Sequence, residues 1–157
     1  MIYHPKTYEL VTKLLSATTW LEVFTHAPVT TSVEASQIRH GYSITQGAKA
    51  LILRSGGKFL MVVVPGDKKF LNSKLKRLLN VKEVSFASQE EIAQLTQGIL
   101  IGGVPPFGSA FNLKTYLDRS VLENEKIIFN CGDRQVSVAM YSQEYIEIEL
   151  PEICDLT

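Results

Sequence analysis

The chain lacks most of the signatures by which hydrolases and redox enzymes announce themselves. No apolar run approaches the roughly 20 residues needed to span a bilayer, and the start, Met1-Ile-Tyr-His-Pro-Lys, lacks the charged-then-apolar layout of a signal peptide. Cysteine is scarce: Cys131 and Cys154 are too few for a disulfide framework, so a reducing cytoplasm is the expected setting. The three histidines, His4, His26 and His40, form no HxxH or HxxxH pair, and with the cysteines far apart no zinc site is expected. Walker loop, dinucleotide fingerprint and Gly-x-Ser-x-Gly elbow are all missing. The reading is therefore of a protein without metal or cofactor. Net charge is missing too, with 16 basic against 16 acidic residues, so a purely electrostatic grip on nucleic acid would be modest.

What is present begins with size. A chain of 157 residues, 45% hydrophobic and 20% charged, has the length and composition of one globular domain over 1–157 with a substantial core. The charges are unevenly spread. Lys68, Lys69, Lys74, Lys76, Arg77 and Lys82 form a stretch free of acids, whereas Glu144, Glu147, Glu149, Glu152 and Asp155 close the chain without a base. A solvated helix face and a polar tail account for both runs; the basic one also suits phosphate contact.

Periodicity supplies a coarse map. Tyr8, Leu10, Val11, Leu14 and Leu15 recur at helical spacing over His4 to about Ser16. A strand is expected over Trp20–Phe24, then a short helix from the Thr31–Glu34 capping box to about His40, with Gly41 as its stop. Two apolar runs, 48–54 and 58–64, flank Ser55-Gly-Gly57 and read as a β-hairpin. The second run is apolar almost throughout, so that strand should be covered on both faces. Helices follow over Leu71–Leu79 and from a second capping box, Ser88–Glu91. Strands are expected at 84–86, 115–117, 126–130 and 135–140, with Ser142 capping a last short helix. The expected class is α/β (α+β), a mixed, largely antiparallel sheet flanked by helices.

Two places invite chemistry. The run Gly102-Gly-Val-Pro-Pro-Phe-Gly108 has little backbone freedom and almost no side-chain chemistry, so what it presents is main chain. Lys49 stands alone at the head of an apolar strand, where its amine either reaches to water or sits in a cleft as a point charge for a phosphate or oxyanion. Asn130-Cys-Gly-Asp-Arg134 has turn composition, and nothing adjacent lowers the Cys131 thiol, which reads as a small buried hydrophobe.

Taken in order, Gly47-Ala-Lys49-Ala-Leu, Val62-Val-Val-Pro-Gly-Asp67, Val84-Ser-Phe-Ala-Ser88, the Gly102–Gly108 run and Asn130-Cys-Gly-Asp-Arg134 resemble the YbaK / prolyl-tRNA-synthetase-associated editing domain family, from about Phe24 to about Met140. The resemblance implies a partly barrel-like central sheet and a hydrolase that removes a wrongly attached amino acid from tRNA, in trans beside a synthetase. It implies that Lys49 is needed for activity near the terminal adenosine, and that Gly102 to Pro106, with Gly103, Val104 and Pro105 between, presents backbone groups to the ester. By the same resemblance Phe24, Thr31, Val33, Asn130 and Ser137 line the substrate pocket, with Cys131 and Gly132 beside Asn130.

An aminoacyl ester is already activated, so its hydrolysis needs a placed water and oxyanion stabilisation more than a protein nucleophile. An N–H of Gly102 or Gly103 suits that role, and the family leaves the proton transfer to the ribose hydroxyl of the tRNA. The Cys-tRNA(Pro) deacylase branch has Ser or Thr at Ala50, Ser at Asn130 and Asp at Ser137. These departures leave cysteine, alanine, serine or another small residue open as the edited amino acid. The alternatives are a non-catalytic module of the same fold that binds tRNA or a synthetase, and a hydrolase of another small acyl ester.

Overall fold

The computed structural model describes residues 3–28, 31–39 and 41–157. Its centre is the hairpin of β2 (Ala48–Ser55) and β3 (Lys58–Pro65). Gly56 and Gly57 both take positive φ, 56° and 81°, as the tight turn that matches strand twist requires. The register sets Lys49 opposite Val64 and Ser55 opposite Lys58.

From Leu60 onward β3 is buried throughout, because alternate residues serve two cores. Met61 and Val63 join the larger cluster, while Leu60, Val62 and Val64 join a smaller one with Phe70, Leu75 and Tyr116. The strand continues into a five-stranded sheet ordered β4-β2-β3-β5-β8, with β4 at Ser85–Phe86, β5 at Thr115–Asp118 and β8 at Glu152–Cys154. A second, antiparallel sheet is ordered β1-β7-β6, from β1 (Leu21–Thr25), β6 (Lys126–Asn130) and β7 (Val136–Tyr141). A parallel bridge from Gly47 to Ile128 joins the two sheets without closing a barrel. The mixed and mainly antiparallel class holds: only β3–β5 and β5–β8 run parallel among the described strands.

Among the described residues five α-helices dress these sheets: α1 (Pro5–Ala17), α2 (Ser32–Ile38), α3 (Asn72–Leu79), α4 (Gln89–Thr96) and α5 (Ser142–Glu149). Leu10 and Leu14 of α1, Ile92 of α4 and Tyr145 of α5 enter the larger core, whereas Leu75 anchors α3 to the smaller one. The Ser88–Glu91 capping box is formed in both directions, and Thr31 caps α2 by accepting from the Glu34 N–H. His40, where the spacing ends that helix, lies outside the described residues.

Two expectations need correction. Ser142 is the first helical residue rather than the cap, and its hydroxyl donates to the Asn124 carbonyl at 2.6 Å. The acidic tail is not simply solvated. Glu149 is buried and accepts from Ser109 N–H, Ser109 Oγ and Thr115 Oγ1, and Glu152–Cys154 docks as β8 beside β5. Burial alone would raise the Asp118 carboxyl, but hydrogen bonds from Ser120, Leu156 and Thr157 outweigh it and hold the group below its ordinary value.

Candidate active site

One cleft collects residues from four parts of the chain. Gly47, Ala48, Lys49 and Ala50 enter from the start of β2, Gly102 and Val104 from the glycine-proline loop, Phe129 and Asn130 from the end of β6, and Thr31, Ala35 and Arg39 from the α2 segment. Its interior space, about 80 Å³, is roughly half the ~150 Å³ of a cavity that holds benzene. It suits a small side chain.

The loop is held from behind. The capping box of α4 orders Gln89, whose side-chain oxygen accepts from the Ile101 N–H at 2.8 Å. Three successive carbonyls are then taken by the β6–β7 turn: Ile101 by Arg134 Nε at 2.8 Å, Gly102 by Asn130 Nδ2 at 2.6 Å, and Gly103 by the Gly132 N–H at 2.7 Å. Further along, the Tyr145 hydroxyl donates to the Pro106 carbonyl at 2.5 Å, and Pro105, Pro106 and Phe107 are buried. With the carbonyls turned back onto the scaffold, the amides face the other way. The Gly103 N–H is consumed by the Leu100 carbonyl at 2.9 Å. The N–H groups of Gly102 and Val104 have no acceptor among the described residues, and both residues line the cleft.

Lys49 lies across from this loop. It is exposed, and its ammonium has neither hydrogen bond nor ion pair among the described residues. Arg39 is the second cation, 6% exposed. Its Nε donates to Ser137 Oγ at 2.9 Å and its Nη2 to Asn130 Oδ1 at 2.8 Å. Ser137 Oγ lies 2.6 Å from His26 Nε2, and His26 Nδ1 lies 2.7 Å from the Ala27 carbonyl. A carbonyl only accepts, so Nδ1 of His26 donates to it, and in a neutral imidazole Nε2 is left to accept the Ser137 O–H. The guanidinium only donates, which orients the Asn130 amide with its oxygen toward Arg39 and its nitrogen toward Gly102. Donation thus diverges from Arg39, one way through Ser137 toward His26 at the end of β1, the other through Asn130 to the Gly102 carbonyl of the glycine loop. Burial lowers the Arg39 pKa to about 10, so the cation persists at neutral pH.

The structure brings Lys49, Gly102, Val104, Thr31 and Asn130 to one cleft and leaves other expected residues outside its lining. Gly103 is adjacent, but its amide is spent, so the backbone donors of the loop are Gly102 and Val104. Pro105 and Pro106 support the loop from the core. Phe24 pairs across the strands with Ser137 and stacks on Tyr42 at 6.3 Å. Val33 is an exposed residue of α2. Ser137 is fully buried and touches Arg39 rather than the opening. Cys131 is fully buried as well, and burial pushes its thiol up to about 12. Gly132 packs on Thr7 of α1.

Sequence reading passed over Arg39 and His26. The only signal for Arg39 was that it is the sole Lys or Arg between Lys13 and Lys49, which does not distinguish a buried cation from a surface one. Chemically, the cleft offers two cations and two amides without an acceptor, and no carboxylate, histidine or cysteine lines it among the described residues. It can hold an anion or a developing oxyanion.

Comparison with known proteins gives the family. The chain is 32% identical over 136 residues to the Multifunctional Ser/Thr-tRNA deacylase ProXp-y of Escherichia coli (strain K12), covering 83% of this chain and 80% of that one. It is 30% identical over 96 residues to a proline–tRNA ligase of Bacillus licheniformis, covering 61% of this chain and 17% of the ligase. A crystal structure described as a candidate trans-editing enzyme for prolyl tRNA synthetase superposes with a TM-score of 0.84 at 25% identity, covering 99% of both chains. The aminoacyl-tRNA editing domain matches residues 26–148, and the chain belongs to that family.

Proposed function

We propose that the protein is a trans-acting aminoacyl-tRNA deacylase, hydrolysing the ester of tRNA mischarged with a small amino acid such as cysteine, alanine or serine. The name of the Escherichia coli relative brings threonine into the same set. The observation that carries the reading is the meeting, in one small cleft, of a Lys49 ammonium with the amides of Gly102 and Val104, none of them partnered among the described residues.

In this reading Lys49 holds the terminal adenosine through its phosphate or sugar oxygens, as a compact point charge does. Water attacks the ester carbonyl carbon. The amides of Gly102 and Val104 take the negative charge that develops on the carbonyl oxygen, each worth about 3–4 kcal/mol in comparable sites. The carbon–oxygen bond to the ribose then breaks, releasing the free amino acid and the 3′-hydroxyl of the tRNA. No side-chain base lines the cleft among the described residues, and in this reading the water proton passes to the leaving oxygen by way of the neighbouring ribose hydroxyl. Binding of a synthetase belongs to the same proposal, as the route by which mischarged tRNA arrives.

The test is a panel of mischarged tRNAs given to the wild type and to Lys49→Ala. Removing a charged hydrogen-bonding group costs about 1.5–3 kcal/mol, so kcat/KM should fall about tenfold to 150-fold. The melting temperature should hardly change, because an exposed, unpaired side chain contributes little to stability. Undiminished turnover in Lys49→Ala rejects the mechanism. Tight binding of uncharged tRNA or a synthetase without turnover of any charged species replaces the enzyme with a binding module.

A further inference from the structure

Arg39 carries more than the proposed chemistry needs. It is buried, it lines the cleft, and no acidic side chain pairs with it among the described residues. A buried cation is costly unless its donors are met. Of the five guanidinium N–H groups, the described residues take two, through Ser137 and Asn130. The remaining donors belong to a planar fork whose orientation is set beforehand, since Ser137 is itself anchored by His26 and Asn130 by the Gly102 carbonyl.

We propose that Arg39 is a specificity-determining residue, its cleft-side N–H groups donating to the side-chain hydroxyl of a seryl or threonyl ester. This rests on the deacylase reading above and narrows it. A guanidinium has no acceptor, so it favours a substrate side chain that supplies lone pairs and disfavours one carrying an ammonium. The methyl of alanine supplies none, and a thiol is only a weak acceptor. The small interior favours the shortest oxygen-bearing side chains. A site built to bond a hydroxyl leaves its own donors unmet when the hydroxyl is missing, which makes discrimination steep.

The experiment compares matched substrates on the wild-type protein: seryl- against alanyl-tRNA, and threonyl- against 2-aminobutyryl-tRNA, each pair differing by the hydroxyl. The ratio of kcat/KM should favour the hydroxyl by about tenfold to 150-fold, as a hydrogen bond to a charged group allows. In Arg39→Gln and Arg39→Lys that ratio should fall toward one, the lysine variant included because it keeps the charge but loses the fork. Circular dichroism of both variants reports folding, and the wild-type substrate pairs do not depend on it. A wild-type ratio near one, or an unchanged ratio in folded variants, overturns the role of Arg39 while leaving the deacylase intact. A wild type inert toward every charged tRNA overturns both.

Discussion

Lys49 and Arg39 place two positive charges in one cleft by opposite means. Lys49 keeps its ammonium in water on a flexible stem, so placing it there costs little. Arg39 gives up water and, among the described residues, is held by a serine and an asparagine rather than a carboxylate. An acidic partner would have neutralised the charge and left less for a ligand. At the same scale Cys131 shows what the cleft does not use. Burial raises its thiol to about 12 and that of Cys154 to about 11. Both are shifted upward, so both thiols stay protonated through pH 8–9 and the reactive thiolate is suppressed. Iodoacetamide at pH 8 should leave both cysteines unmodified in the native protein and alkylate them after unfolding. Mass spectrometry showing fast native labelling of Cys131 would put it back among the reactive groups.

At the scale of elements, the glycine-proline loop acts as a backbone presenter because its carbonyls are tied down by the β6–β7 turn. Gly132 is the critical joint. Its φ is +87°, and an added Cβ would lie 2.5 Å from Thr7 Oγ1 and 3.1 Å from the Thr7 backbone nitrogen. Strain and overpacking together should make Gly132→Ala about 2–4 kcal/mol less stable, a fall of about 5–15 °C in Tm for a chain of this size. Gly41 is the control: its φ is +86° but nothing lies within 4 Å of an added Cβ, so Gly41→Ala should lose less. Equal losses in thermal melts would remove the Thr7 packing from the explanation. The elements also separate what spacing reveals from what it hides. The Gly56-Gly57 hairpin and the Ser88–Glu91 box were legible because both are decided within four residues. Ser142 and β8 were not, since Asn124 and β5, which recruit them, lie 18 residues or more away along the chain.

For the whole molecule, zero net charge conceals a division of labour. Lys49 and Arg54 stand five residues apart on β2, about 17 Å at strand rise. At the Arg54 end a recess is lined by Lys76 and Lys82 as well. Arg54 is paired with Glu91 at 2.7 Å, so Lys76 and Lys82, with the Glu83 carboxylate beside them, are the bases the recess offers to a tRNA phosphate backbone. Every phosphate deprived of its lysine should reduce the slope of log K against log salt by about 0.7–0.9. The double variant Lys76→Glu/Lys82→Glu should therefore bind tRNA with a slope shallower by about 1.5 and with raised KM, yet hydrolyse a minimal aminoacyl-adenosine ester at the wild-type rate. An unchanged slope would take the recess off the tRNA path.

Much of this protein is readable along the chain: the apolar periods, the caps, the hairpin and the ordered motifs of an editing domain all depend on near neighbours. Lys49 and the Gly102 loop were legible as candidates for the same reason, one as a lone charge in an apolar strand, the other as an odd composition. Folding alone revealed that Gly103 is spent on Leu100 while Gly102 and Val104 have no acceptor among the described residues, and that Arg39 is buried with no acid beside it among them. A hydrogen bond is used up by whichever partner arrives in space. The partners of Arg39 stand 91 and 98 positions away in sequence, beyond the reach of any local pattern.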